Sequence, residues 1–240
     1  MRLNSAINKI KGCHFLLCLL CWSVVGGCSA TNIYQPGKDK VVIKAHSFAF
    51  KNGDIIFQDL DCGPLCDAIE SVTAGYWGMP LSHIAIVEII NGNIQVIEAI
   101  GKNVHKTPID TFLNRIVNNN GNPKIILGRL KSAYKNLLPK AIAFCNNQLG
   151  KQYDDAFLPN NDKYYCSELL YDAFKYANNN KPFFTLQPMT FKDKKTNNFF
   201  GAWVDYFAAL KMEIPEGIEG CNPAGIANDE KIEIVNENSK

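Results

Sequence analysis

The sequence predicts an α+β fold in which a small antiparallel sheet packs against helices. Three observations support this class. Strongly apolar strand patterns flank a hairpin turn at residues 91–93, two long helical patterns come only in the second half, and no regular strand-helix alternation is present. The 240 residues, 47% of them hydrophobic, suffice for one sizeable core. We therefore predict one folded domain over residues 46–236.

Four segments have the alternating or continuously apolar pattern of strands. They are residues 53–58, 82–90, 94–100 and 124–130. Four further segments have a helical pattern. They are residues 65–76, beginning near Pro64, residues 108–117, residues 137–149, ended by Gly150, and the segment that begins at Cys166. We expect the aromatic-rich residues 181–220 to pack over the sheet and the charged last ten residues to be frayed.

The first 28 residues have the pattern of an export signal. Arg2, Lys9 and Lys11 precede an apolar stretch over residues 14–25, and small residues and Cys28 follow it. The ending Val-Gly-Gly-Cys resembles a bacterial lipobox, in which the cysteine carries lipid. We favour a lipidated Cys28, with residues 29–45 as a tether to the membrane. The alternative is an ordinary signal peptide cut nearby.

The nearly balanced charge of the chain argues against nucleic-acid binding and says little about other functions. The chain carries 25 basic and 23 acidic residues, a balance of +2, and has no basic run with interleaved aromatic residues. We therefore expect no nucleic-acid partner.

The cysteines divide into several groups. Besides those in the signal and Cys28, the chain has Cys62, Cys66, Cys145, Cys166 and Cys221. Five is an odd number, so at least one thiol is free or pairs between chains. The spacing of Cys62 and Cys66 permits a disulfide, although we favour simple packing, and Cys66 is a second candidate for a reactive thiol. No further pair has zinc-ligand spacing, so we expect no metal site.

Cys166 is the foremost candidate nucleophile. It lies where a helix begins, with Leu169, Leu170, Ala173 and Phe174 as the buried stripe of that helix. The unpaired N–H groups and the positive dipole end at a helix start favour thiolate over thiol. A cysteine at this position is more often a packing residue, so the prediction needs a histidine beside it.

The hairpin over residues 82–100 supplies that histidine. A turn at Asn91-Gly92 pairs residues whose numbers sum to about 183, which places Glu98 near Ala85 and close to His83. A carboxylate beside an imidazole raises the histidine pKa and determines which ring nitrogen carries the proton. The spacing therefore predicts that His83 and Glu98 lie close together, with Glu98 in the orienting role of a third catalytic group.

The same residues carry a resemblance to a known family. Residues 53–58, 82–87, 96–99, 150–157, 165–170 and 222–227 resemble, in this order, motifs of the permuted papain-like amidases of the NlpC superfamily, the YiiX/YaeF-like group. As in that group, the histidine strand precedes the cysteine helix. The resemblance implies a circularly permuted papain-like core. It also implies Cys166 as nucleophile, His83 as general base and later acid, and Glu98 as the acceptor that orients His83.

The resemblance implies a cysteine amidase or peptidase, and no cofactor is required because a thiolate mechanism needs none. We expect an amide bond in cell-wall (peptidoglycan) peptides as the substrate. Two alternatives stay open: a lipid acyl hydrolase or acyltransferase on the same fold, and a non-catalytic binding lipoprotein.

Several other residues are weaker candidates. Tyr165 and Asp54 are predicted to contribute to substrate binding, although each has a structural alternative in the core or in a turn. Arg129 could bind a substrate carboxylate or cap the sheet. His105 has no partner motif and is expected at the surface. Asp154 is expected to organise the loop that leads to Cys166.

Overall fold

Six strands form one antiparallel sheet in the computed structural model, which describes residues 48–73 and 75–235. The described residues form eight strands in all: β1 (Ile55–Gln58), β2 (His83–Ile90), β3 (Asn93–Ile100), β4 (Asn103–Pro108), β5 (Ile125–Leu130), β6 (Gln187–Pro188), β7 (Glu219–Gly220) and β8 (Ile232–Val235). The sheet order is β4-β3-β2-β1-β5-β8, and β6 pairs only with β7.

Helices cover the sheet and complete the α+β architecture. They are α1 (Pro64–Val72), α2 (Ile109–Leu113), α3 (Leu138–Asn147), α4 (Cys166–Ala177), α5 (Gly201–Leu210) and α6 (Pro223–Ala227), and a 3₁₀ helix (Ser132–Leu137) leads into α3. The predicted fold class is confirmed. The predicted signal and tether, residues 1–45, lie outside the described residues.

The hairpin of β2 and β3 has the predicted register. Ile86 pairs with Ile97, and Asn91 and Gly92 both adopt positive φ at the turn. Positive φ at both turn residues matches the right-handed twist of the strands, and asparagine followed by glycine tolerates it best. The turn chemistry therefore determines which β3 residue lies beside the start of β2.

The two faces of the sheet bury different helices. Ile84 and Ile86 belong to the core that includes α3 and α4, whereas Ala85 and Val87 pack with Ile109, Phe112 and Leu113 of α2. Because both faces are covered, β2 is apolar at successive positions rather than alternating with polar ones.

The aromatic segment packs differently from the prediction. Phe183 and Phe184 join the main core, but Phe191, Trp203 and Phe207 pack with Ala68 of α1 instead of lying on the sheet. Helices α1 and α5 thus form a separate small core beside one end of the sheet.

A disulfide joins Cys62 to Cys66 at the start of α1, with 5.3 Å between their Cα atoms. The favoured prediction of simple packing for Cys62 and Cys66 is therefore wrong, and so is the role of Cys66 as a second reactive thiol, because the two sulfurs are bonded to each other. Cys145, Cys166 and Cys221 are free and buried.

Three segments depart from the predicted elements. Residues 103–108 form β4, which the sequence concealed because its buried positions, Val104 and Thr107, do not alternate. Helix α2 ends at Leu113 because a bridge between Val117 and Pro123 draws the chain back towards the sheet. Residues 232–235, expected to be frayed, form β8 because the edge of β5 offers unpaired backbone groups.

Gly128 of β5 provides a test of packing between β1 and β8. A Cβ at this position would lie 2.7 Å from Cε2 of Phe57 and 3.0 Å from Cγ2 of Ile232. We expect Gly128→Ala to lower the free energy of unfolding by roughly 1–3 kcal/mol, measured by urea denaturation, because both neighbours are packed in the core.

Gly201→Ala is the matched control, because nothing lies within 4 Å of a Cβ built there. We expect a change of at most about 0.5 kcal/mol for the control. Equal effects of the two substitutions would contradict the close packing at Gly128.

Candidate active site

Cys166 is the first residue of α4, and it lies at the wall of a cavity of about 310 Å³. Tyr165 before it is extended, and the Glu168 carboxylate accepts a hydrogen bond from the Tyr165 N–H at 3.4 Å. The thiol is 6% exposed. The predicted helix start is confirmed, so the free N–H groups and positive dipole end of α4 surround this sulfur.

His83 is the first residue of β2 and is buried, with 2% of its surface exposed. Its Nε2 lies 2.6 Å from Oε2 of Glu98, and Cys166 lies close enough to raise the pKa of His83. Since Nε2 is engaged by Glu98, Nδ1 is the ring nitrogen that faces the thiol. The predicted proximity of His83 and Glu98 is confirmed.

The pKa of His83 reflects opposing effects. Burial by itself lowers it, but hydrogen bonds to Cys166 and Glu98, and the charges of both groups, raise it to about 9. The imidazolium form is therefore retained well above neutral pH.

Glu98 is fully buried and receives hydrogen bonds from three side chains. Arg115 binds it with two nitrogens, Nη2 at 2.6 Å from Oε1 and Nη1 at 3.0 Å from Oε2, while Thr107 donates its hydroxyl to Oε1 at 2.5 Å. Burial raises the pKa of Glu98, but the bonds and charges of His83 and Arg115 outweigh it and hold the pKa well below its usual range. Glu98 is thus a fixed anion.

The sequence did not single out Arg115 or Thr107. Thr107 of β4 lies opposite Val96 of β3, and Glu98, two residues after Val96, is on the same face of the sheet. A prediction that included β4 would have placed Thr107 near Glu98. Arg115 comes from the turn after α2, with its guanidinium 5.1 Å above the Phe112 ring, and no local pattern predicts that placement. His105 is half-exposed, and its Nε2 lies 4.0 Å from Oε1 of Glu98.

Six large apolar side chains contribute to the wall of the cavity beside Cys166. They are Ile69, Val72, Phe157, Met189, Phe191 and Trp203. Tyr165 also lines the cavity, and its hydroxyl accepts a hydrogen bond from the Cys221 N–H at 3.2 Å. Burial raises the pKa of Tyr165 far above its usual range, so it remains a neutral phenol.

Asp54 does not belong to this site. Its carboxylate forms a buried pair with Arg129, at 2.6 Å from both Nε and Nη2, and also accepts the Lys51 N–H at 2.7 Å. Asp54 precedes β1, whereas His83 pairs with Gln58 at the other end of that strand, about 13 Å away at the usual rise. The predicted contribution of Asp54 to substrate binding is corrected to a structural one, and Arg129 is its partner.

Asp154 organises the loop before α4, as the sequence predicted. This buried carboxylate accepts hydrogen bonds from the N–H groups of Ala156 and Leu158 and from the Asn161 side chain, at 2.7–3.1 Å. The loop reaches α4 in a defined conformation, because three donors from different positions bind one side chain.

The comparisons with known proteins agree with this geometry. A family model described as "permuted papain-like amidase enzyme, YaeF/YiiX" matches residues 49–236. The chain belongs to the permuted papain-like amidase family. This membership places it among cysteine hydrolases of the amidase and peptidase type, and it confirms the papain-like, permuted fold.

A solved structure shares the fold of this permuted papain-like amidase. It is described as the metalloprotein YiiX from Escherichia coli O157:H7, has a TM-score of 0.63 and 22% identity, and the match covers 79% of this chain and 98% of that chain. No curated protein matches the chain. Within residues 48–73 and 75–235, no group of three or more His, Cys, Asp or Glu side chains is placed to hold a metal ion.

The contact between Glu98 and His83 can be tested by NMR. We expect Glu98→Gln to lower the pKa of His83 from about 9 by one unit or more, because one of the groups that stabilise the imidazolium loses its charge. The measurement is a pH titration of the His83 ring-proton chemical shifts.

Glu88→Gln is the matched control. Glu88, in β2, is a buried glutamate like Glu98 of β3, but its carboxylate is bound by Lys106, Gln95 and Asn146. An unchanged His83 titration in Glu98→Gln, or an equal shift in the control, would contradict the assigned contact.

Proposed function

We propose that this chain is an exported cysteine amidase or peptidase that cleaves an amide bond in cell-wall peptides. Cys166 is its nucleophile, His83 its general base and acid, and Glu98 the residue that orients His83. The observation that carries the proposal is the unbroken series of contacts from Cys166 through His83 to Glu98, at the wall of an open cavity.

The reaction follows from these contacts. His83 holds the thiol proton on Nδ1, and the Cys166 thiolate attacks the amide carbonyl carbon to form a carbon–sulfur bond. The developing oxyanion is held by backbone N–H groups at the start of α4. His83 then donates its proton to the departing amine nitrogen as the carbon–nitrogen bond breaks, which leaves a thioester.

The second half of the reaction returns the site to its starting state. His83, now neutral, takes a proton from water, and the resulting hydroxide attacks the thioester carbonyl. The acyl group departs as an acid and the thiolate is regenerated. Throughout both steps Glu98 holds Nε2 and keeps Nδ1 directed at the sulfur, as Arg115 and Thr107 hold Glu98.

The cavity supports a second candidate function, a lipid acyl hydrolase or acyltransferase. Its wall of six apolar side chains next to Cys166 could hold an acyl chain as well as a peptide side chain. Both functions pass through the same acyl thioester at Cys166. They differ in the substrate that supplies the acyl group and, for a transferase, in the amine or alcohol that takes the acyl group in place of water.

The cellular location is inferred from residues outside the described part of the chain. The basic start, the apolar residues 14–25 and the lipobox-like Cys28 support export and a lipid anchor, which would hold the hydrolase domain at a membrane in the periplasm or at the cell surface. Among the described residues, no helix is long and apolar enough to cross a bilayer.

The nucleophile is tested by substitution. We expect Cys166→Ala to lower turnover by about 10⁴-fold or more, because the covalent route is lost. Activity is measured by mass spectrometry after incubation with muropeptides and, in parallel, with N-acyl and O-acyl lipids. Cleavage of muropeptides supports the peptidase, and cleavage of lipids alone supports the second candidate.

Cys145→Ala is the control. Cys145 is buried in α3, and burial raises its thiol pKa to about 12, so it cannot supply a thiolate near neutral pH. Retained turnover in a folded Cys166→Ala protein would reject the proposed nucleophile.

The lipid anchor has its own test. Cells expressing the full chain are labelled with a radioactive fatty acid and fractionated. We expect label on the wild-type chain in the membrane fraction, and both label and membrane association to be lost in Cys28→Ser, because serine cannot form the thioether to the diacylglyceryl group. A labelled Cys28→Ser chain would exclude Cys28 as the lipid site.

A further inference from the structure

Two carboxyl oxygens near the active site are buried without a hydrogen-bond donor. They are Oδ1 of Asp59, which follows β1, and Oε1 of Glu70, in α1. The two side chains contact one another. Two ionised carboxylates only accept hydrogen bonds and repel one another when they are adjacent. The contact is favourable if one of the two groups carries a proton and donates it to the other.

The surroundings determine which group holds the proton. Oδ2 of Asp59 is 3.1 Å from Nζ of Lys124, and the same ammonium group binds Asp61 at 2.7 Å. Within residues 48–73 and 75–235, no basic side chain pairs with Glu70. It lies close to Ser82, to Asp59 and to Asp67 of its own helix. Since only Asp59 has a cation beside it, Glu70 is the group of the pair that holds the proton.

Burial has the largest effect on the acid, and the Asp59 and Asp67 charges act in the same direction. Together they outweigh the Ser82 hydrogen bond and raise the pKa of Glu70 from 4.5 to about 7. A carboxylic acid at this position is consistent with the geometry of the two buried oxygens.

We propose that Glu70 is a positioning residue that clamps α1 to the end of the sheet by donating a hydrogen bond from its protonated carboxyl group to Asp59, and that the clamp is released when Glu70 loses this proton.

The clamp connects two parts of the active site. Gln58, next to Asp59, pairs with His83 across β1 and β2, and the Ser82 hydroxyl accepts the Leu60 N–H at 2.9 Å. On the other side of the clamp, Ile69 and Val72 of α1 form part of the cavity wall. Loss of the clamp would loosen this wall while leaving the Glu98 contacts in place.

The direction of the pH effect follows from the protonation state. The clamp needs Glu70 protonated, so its contribution is complete below pH 4.5 and is lost as the pH rises to about 7 and beyond. Above that range two adjacent carboxylates face one another, and the apolar contacts of Leu65, Ala68 and Ile69 with the α5 cluster remain to hold α1.

Hydrogen exchange detected by mass spectrometry tests the clamp without any substrate. We expect the protection factors of residues 64–73, corrected for intrinsic exchange, to fall about tenfold between roughly pH 6 and pH 8 in the wild-type chain. Those of α3 should stay level. In Glu70→Gln the step should be absent, because the amide donates to Asp59 at every pH.

Trp203 gives a second readout, since it lines the cavity and packs in the same cluster as Ala68 of α1. With Trp22 and Trp77 replaced by phenylalanine, it is the only tryptophan of the chain. We expect its emission to shift to longer wavelength with a midpoint near pH 7, and the shift to be absent when Glu70→Gln is added.

Two further variants make the outcome decisive. Asp59→Asn should also remove the pH step, because Glu70 then no longer faces an anion. Glu213→Gln, the same change at an exposed glutamate, should behave as the wild type. A wild-type chain whose α1 protection is level from about pH 6 to about pH 8, or a Glu70→Gln protein that keeps the step, would overturn the clamp. Neither result would bear on Cys166 as the nucleophile.

Discussion

The buried Glu98 carboxylate is the constraint on which the arrangement of the site depends. An unpaired carboxylate in a protein interior is penalised by several kcal/mol, so it must be surrounded by donors. Here the donors come from β2, β4 and the turn after α2, in the form of His83, Thr107 and Arg115. Elements that are distant along the chain must therefore meet at one side chain, and this requirement determines where His83 points.

Charges alternate in sign from His83 into the protein interior. The His83 imidazolium is followed by the Glu98 carboxylate and the Arg115 guanidinium. Each group stabilises the charge of its neighbour, which explains why the pKa of His83 rises despite burial. It also explains why the third member of the constellation is a carboxylate. A neutral amide would orient the ring, but it would not hold the imidazolium charge.

Three buried or half-buried glutamates show how far environment determines protonation. Glu98 has Arg115 and His83 beside it and its pKa is low, whereas Glu70 has only acids and a serine and its pKa is about 7. Glu168, in the first turn of α4, has its pKa raised to about 8 by burial and by Asp154 and Asp172. Near neutral pH a largely neutral Glu168 adds little negative charge beside the Cys166 helix start, so the positive end of the helix is not cancelled.

The sequence by itself determined the features that depend on local chemistry. The Asn91-Gly92 turn determines the register of β2 and β3, and that register brings Glu98 beside His83. The helical stripe after Cys166 places the thiol at a helix start. The order of histidine before cysteine identified the permuted family. Each of these follows from spacing along the chain, because turns and helix starts are specified by neighbouring residues.

Only the tertiary structure decided which distant groups meet. The partners of Glu98, the pair of Asp54 with Arg129, and the contact of Glu70 with Asp59 each join elements separated by many residues. Neither β4 nor β8 had a decisive local pattern, because the neighbouring strand supplies the pairing. Burial and the charges of distant residues set these protonation states, and neither quantity is written in local sequence.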